Sequence, residues 1–142
     1  MKTVQQILNS KSVQIFSVTQ ETSVLAALQL MTEKNISAVL IMNNEHLQGI
    51  FTERDYARKI VLHGKSSKDT RIREAMTANP ITLASTDSIE LCMQLMTDKH
   101  IRHLPIAVAD KVIGMVSIGD VVKFIIADQQ QTISQLESYI NS

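Results

Sequence analysis

The 142-residue sequence has one cysteine, no surplus of charge of either sign and no long apolar run, and each absence removes a class of protein. The lone thiol, Cys92, has no partner in the chain, so no disulfide framework holds the fold. It falls inside an apolar helical pattern and reads as a core residue of a reduced, cytoplasmic protein. Fourteen basic residues cancel fourteen acidic ones and the pI is near 6.9. No global field therefore draws the chain to nucleic acid or to an anionic membrane, and any anion site has to be local. The apolar stretches stop short of the roughly 20 residues that cross a bilayer. The polar opening, Met1 to Gln6, lacks the basic segment and apolar run of a secretory signal. What remains, 44% hydrophobic and 20% charged, is the composition of a globular domain that buries its own core.

The chain repeats itself. A shift of about 65 residues lays it on itself without a gap over more than about forty positions. Ser23, Gln29, Leu30, Met31, Thr32, Lys34, Ile36, Ile41, Gly49, Asp55 and Ile60 meet Ser88, Gln94, Leu95, Met96, Thr97, Lys99, Ile101, Ile106, Gly114, Asp120 and Ile125.

Each copy reads as strand, helix, strand, strand, helix. Short β-prone segments, Ile15 to Val18 and Ile81 to Leu83, come first. Val24, Ala27, Leu28 and Met31 then recur at helical spacing, as do Ile89, Cys92, Met93 and Met96. Thr22 or Ser23 caps the first of these helices, and Asp87 with Glu90 resembles a capping box on the second. Hairpins follow at Ala38–Met42 with Leu47–Phe51 and at Leu104–Val108 with Val112–Val116, turning at Asn43–Glu45 and Ala109–Lys111. Second helices are expected over Glu53–Leu62 and Ile118–Ala127, separated by a linker at His63–Asp69. A short helical turn precedes each copy, Val4-x-x-Ile7-Leu8 and Ile72-x-x-Ala75-Met76, and is expected to pack across the partner unit. The first copy carries three extra residues around Lys11 to Gln14, and the polar tail places Ile133, Leu136 and Ile140 on one helical face.

The residues able to carry chemistry sit where the second hairpin strand becomes a helix: Gly49-Ile50-Phe51-Thr52-Glu53-Arg54-Asp55 and Gly114-Met115-Val116-Ser117-Ile118-Gly119-Asp120. A helix N-terminus offers unpaired N–H groups to a phosphate, and the hydroxyl of Thr52 or Ser117 adds a donor. The aspartate three positions on offers two acceptor oxygens, suited to two neighbouring ribose hydroxyls. The same residues equally form plain helix caps, with the acid favoured by the helix dipole.

In its order and doubled motif, nearly the whole chain resembles a pair of cystathionine-β-synthase (CBS) motifs, the arrangement called a Bateman module. The resemblance implies an α/β module of two pseudo-symmetric β-α-β-β-α units packed through their sheets. The division is then 1–64 for the first motif with its helical turn, and 65–142 for linker, second motif and C-terminal helix. It also implies two clefts for adenosine-containing ligands, with ribose on Asp55 and Asp120, phosphate on Thr52 and Ser117, and adenine held near the backbone of Thr82 and Ile101. Arg102 and His103 resemble the basic residues of the family's phosphate-approaching strand, or else form a solvated strand edge. The first copy has Ser37-Ala38 there instead and carries Arg54 where the second has Gly119. The Asp120 cleft is accordingly ranked above the Asp55 cleft.

No nucleophile with a base, acid pair or metal cluster stands at recognisable spacing, and His100-x-x-His103 lacks an acidic or thiol companion. The expectation is a non-enzymatic sensor of an adenine nucleotide (AMP, ADP, ATP or a related adenosyl compound), with no required cofactor or metal. It is expected to form a homodimer and to act on an unidentified regulated protein. The competing expectation is a ligand-free dimerisation or scaffold module in which Asp55 and Asp120 are caps.

Overall fold

In both copies of the repeat a serine starts the first long helix. Ser23 accepts from the Ala26 N–H at 3.0 Å and Ser88 from the Leu91 N–H at 3.0 Å. The cap of the second is therefore Ser88 and not Asp87, whose carboxylate is drawn back to the Ala84 N–H at 2.8 Å. Both helices run out of turn-forming geometry at equivalent places, Asn35 and His100, each with φ of 54°.

The computed structural model describes residues 2–12 and 14–141. Val13, within the extension of the first copy, lies outside the described residues. In chain order the elements are α1 (Val4–Asn9), β1 (Ser17–Val18), α2 (Val24–Lys34), β2 (Ala38–Asn43), β3 (His46–Thr52), α3 (Glu53–Asp55), β4 (Thr77–Ala78), α4 (Ile89–Asp98), β5 (His103–Val108), β6 (Lys111–Ser117) and α5 (Ile118–Asn141). The first sheet has the order β1-β2-β3-β4, with β1 parallel to β2 and the other pairs antiparallel. The second is the β5-β6 hairpin, and Leu83 adds a parallel bridge to Ile106, as β1 does to β2. Register slips at Ile41/Met42 in one hairpin and at the matching Ile106/Ala107 in the other, so the repeat extends to the irregularities.

Two helices depart from expectation. After α3 the chain continues as a π-helical segment, Tyr56–Val61, and the Leu62 N–H reaches the Ala57 carbonyl at 3.0 Å. The helix expected to stop at Ala127 instead runs unbroken to Asn141, taking in the tail as one element. No glycine or proline interrupts residues 120–141, so nothing local ends it.

The cores explain why the units form one module. Val4, Ile7 and Leu8 of α1 are buried with Ile89, Cys92, Leu104 and Val116 of the second copy. The backbone ties them there too, through Val4 N–H to the Asp87 carbonyl at 2.9 Å and Ile89 N–H to the Lys2 carbonyl at 3.1 Å. Conversely, Ile72 and Ala75 join Val24, Val39 and Phe51 of the first copy, and the Ile72 N–H donates to the Thr22 carbonyl at 2.7 Å. β4 then passes so close to β3 that a Cβ on Gly49 would meet the Met76 sulfur at 2.5 Å. A third cluster, Ala38, Leu40, Ile50 and Val112, with Met42 and Met115 beside it, fills the space between the facing sheets. Cys92 is fully buried, and burial pushes its thiol up to about 11, so it is inert packing.

Tyr56, Ile60, Val121 and Phe124 are taken up by these cores: Ile60 and Val121 are buried and the other two pack against them. Exposed apolar side chains recur along α5, at Val122, Ile126, Ile133, Leu136 and Ile140 among others, and also stand at Val61 and Leu62 before the linker.

Because α1 completes the second unit's core, Ile7→Ala is expected to cost about 2–5 kcal/mol in urea unfolding. Hydrogen exchange should locate the loss in α4, β5 and β6. Faster exchange confined to α2 and β2 would contradict the cross-packing.

Candidate functional site

At the end of β6 the backbone turns into α5, and Ser117 and Asp120 close on one another. The Ser117 hydroxyl accepts from the Asp120 N–H at 3.1 Å, and Asp120 Oδ2 accepts from the Ser117 N–H at 2.9 Å. This reciprocal cap holds the carboxylate at the wall of a cavity of about 400 Å³ between the two units. The opposite wall comes from the first copy: Ile15 and Phe16 ahead of β1, and Ile36, Ser37, Ala38 and Leu40 at the start of β2. Lys11, Lys34, His103 and Met115 also line the cavity. The volume lies in the range of small-molecule sites.

Lys11, which the sequence marked only as the start of an extension, is central. Its ammonium donates to Asp120 Oδ2 at 2.6 Å and to the Met115 carbonyl at 2.9 Å. Burial would raise the Asp120 carboxyl, but the Lys11 ammonium and the Ser117 N–H outweigh it and hold the group below the usual carboxylate range. Oδ1 accepts no hydrogen bond among the described residues. Asp120 therefore presents one engaged and one open oxygen to the cavity.

His103 lies across from Asp120, with Nε2 and the Ser37 hydroxyl 2.9 Å apart, a tie between the two units. Burial lowers its pKa, with Arg102 and Lys11 adding to the effect and Asp120 opposing it, which disfavours the protonated imidazole. No group among the described residues bonds its Nδ1, so Ser37 and His103 lack the third member that would orient a hydrolytic pair.

The remaining candidates divide. Arg102 is exposed and does not line this cavity; its carbonyl accepts the Ile118 N–H at 2.9 Å. Ile101 packs against the second unit's core and Thr82 is exposed, and neither lines the Asp120 cavity. Their counterparts in the first copy are what meet Asp120: Ile36 for Ile101, and Ile15 and Phe16 just ahead of Ser17, the counterpart of Thr82. The facing of the sheets sets the end of β6 against the strand entries of the first copy, so the Asp120 cleft draws on both copies.

The first motif is differently employed. Asp55 is buried, and both its oxygens are occupied. Oδ1 accepts from the Thr77 hydroxyl at 3.0 Å and pairs with Lys59 at 3.2 Å, while Oδ2 accepts from the Thr52 N–H at 3.0 Å. The Thr52 hydroxyl accepts from the Asp55 N–H at 3.2 Å. Arg54 reaches across to donate to the His100 carbonyl. Among the described residues no three His, Cys, Asp or Glu side chains gather as a metal site, and no helix is long and apolar enough to cross a membrane.

Comparison with known proteins agrees with this architecture. The family model for the CBS domain matches twice, over residues 4–62 and 72–127. The mitochondrial CBS domain-containing protein CBSX3 of Arabidopsis thaliana is 39% identical over 127 residues, covering 86% of this chain but 62% of its own length. A solved structure of a putative signal-transduction protein with CBS domains from Burkholderia ambifaria is 47% identical, with a TM-score of 0.87, and the match covers 90% of this chain and 96% of that one. The CBS domain pair of MJ0100, solved with 5′-methylthioadenosine and S-adenosyl-L-methionine, shares the fold at a TM-score of 0.78 and 23% identity, over 90% of this chain and 98% of that one. Two facing units, matched motif by motif along the sequence, place this chain in the CBS domain family, as a tandem pair.

Proposed function

We propose that this CBS pair is a cytoplasmic regulatory module, without catalysis of its own, that binds an adenine nucleotide in the Asp120 cleft. The observation that carries the reading is the open Oδ1 of Asp120 at the wall of a cavity built from both units. The ribose hydroxyls donate to Asp120. The Ser117 hydroxyl, at the N-terminus of α5, faces the phosphate, and His103, protonated when an anion arrives, adds to it. The adenine lies between Ile15–Phe16 and Ile36–Ala38, at the entry to β2. The adenosyl ligands of the MJ0100 pair support the ligand class at the level of the fold. Binding across the unit boundary changes how the units pack, and so the affinity for a regulated protein partner.

The reading in which Asp120 is only a cap has one observation in its favour, the reciprocal Ser117–Asp120 bonds. The two separate by substitution. Asp120→Ala is expected to weaken adenylate binding by at least about tenfold in calorimetry on ligand-stripped protein, while apo stability falls by only about 1 kcal/mol or less. Normal binding by a strongly destabilised variant would favour the cap.

Asp55→Ala should do the reverse. It strips the Thr77 hydroxyl and Lys59 of their acceptor, so thermal unfolding should show a loss of about 1–3 kcal/mol with adenylate affinity changed less than about twofold. Loss of binding in this variant would move the site to the first motif.

A homodimer is part of the same proposal, with the exposed apolar positions of α5 as its contact. Light scattering at micromolar concentration should give twice the 15.8 kDa chain mass, and Ile133→Glu with Leu136→Glu should return it to one. An unchanged mass in that variant would place the contact elsewhere.

A further inference from the structure

Like Lys59, whose ammonium pairs with Asp55 and donates to the Met76 carbonyl, Lys11 joins its motif's aspartate to a methionine carbonyl. It belongs to an extension that the second copy lacks, and its side chain is 30% exposed. It also stands at the boundary of two cavities. Besides the cleft between the units, a groove of about 570 Å³ runs between α1 and α5, lined by Lys2, Lys11, Asp120, Lys123 and Asp128. Lys11 and Asp120 are common to both, so their ion pair is the partition between them.

We propose that Lys11 makes this cleft discriminate by ligand charge, favouring adenosine ligands that carry phosphate over uncharged adenosine. The inference rests on the nucleotide reading above. A ribose diol that uses both carboxylate oxygens has to take Oδ2 from the ammonium, which is left with the Met115 carbonyl alone. An uncharged nucleoside offers nothing in exchange, and the cost of leaving a partly buried ammonium without a counter-charge falls on its affinity. A phosphorylated ligand brings its own anion, to which the ammonium transfers. Lys34 also lines the cleft, and Lys123 lines the adjoining groove where Lys2 is paired with Asp128 at 3.2 Å, so further ammonium groups stand near the path of an anionic tail. The first motif has no such switch, because Asp55 is tied on both oxygens by its own unit's Lys59 and Thr52 and by Thr77.

The test is calorimetry with AMP and with adenosine on the full chain, stripped of bound ligand, as wild type, Lys11→Met and Lys11→Arg. Wild type is expected to prefer AMP by at least about tenfold. In Lys11→Met AMP should weaken and adenosine hold or tighten, so that the ratio falls to within about threefold of unity. Lys11→Arg, which keeps the charge, should retain the preference, and added salt should erode it in wild type. Equal binding of the two ligands by wild type, or an unchanged ratio in a folded Lys11→Met, overturns the inference while leaving the nucleotide site standing. Binding of neither by wild type overturns the nucleotide reading and this inference with it.

Discussion

The exchange of short helical segments between the two copies is the constraint on which the rest of the structure depends. Neither copy closes its own core: α1, ahead of the first, is buried in the second, and Ile72 and Ala75, ahead of the second, are buried in the first. Burying about four large side chains across the boundary in this way makes the units one folding body rather than two beads on a string. It also fixes their relation. With each sheet held from behind by its own helices and by the visitor from the other copy, the free faces meet over Leu40, Ile50 and Val112. The end of β6 then lies against the entry to β2.

From that placement comes the inequality of two motifs that share their glycine, hydroxyl and aspartate positions. Thr52-x-x-Asp55 and Ser117-x-x-Asp120 make the same cap at the same strand-to-helix turn. Their surroundings decide their use. The segment that follows the linker runs on as β4 and delivers Thr77 to Asp55, turning that carboxylate inward as a structural group. The extension at Lys11 takes the corresponding place against Asp120, but as a single flexible ammonium rather than a strand, and it leaves one oxygen open. Asp55 has both oxygens taken, by the Thr77 hydroxyl and Lys59 on one and the Thr52 N–H on the other, whereas at Asp120 Lys11 and Ser117 share one oxygen and leave the second open.

Most of the fold was legible because the repeat gives every element twice. Ile41 and Ile106, or Ser23 and Ser88, support each other where a single copy would be ambiguous. The crossing of Ile7 and Ile72 was legible too, since short apolar turns with no partner of their own have to find one. The strand-to-helix caps at Asp55 and Asp120 were readable from the doubled motif, whereas of Arg102 and His103 only His103 lines the cavity. The rest was hidden for physical reasons. The partner wall at Ile15, Phe16 and Ile36 depends on how sheets face, which no local pattern encodes. Lys11 has its meaning only through Asp120, more than a hundred positions away. The π-helical turn after Asp55 and the unbroken run of α5 to Asn141 are set by packing and by the absence of a helix breaker, not by periodicity.

That an adenine nucleotide enters between the units at the second motif, and not at the first, is tested most directly by amide chemical-shift mapping of the isotope-labelled chain titrated with AMP. Shifts are predicted at Ile36, Ser37, Ala38, Ser117 and Asp120, residues from both copies that share one cavity, with Thr52, Asp55 and Thr77 unmoved. Shifts centred on Thr52 and Asp55, or no shifts at saturating nucleotide, would contradict it.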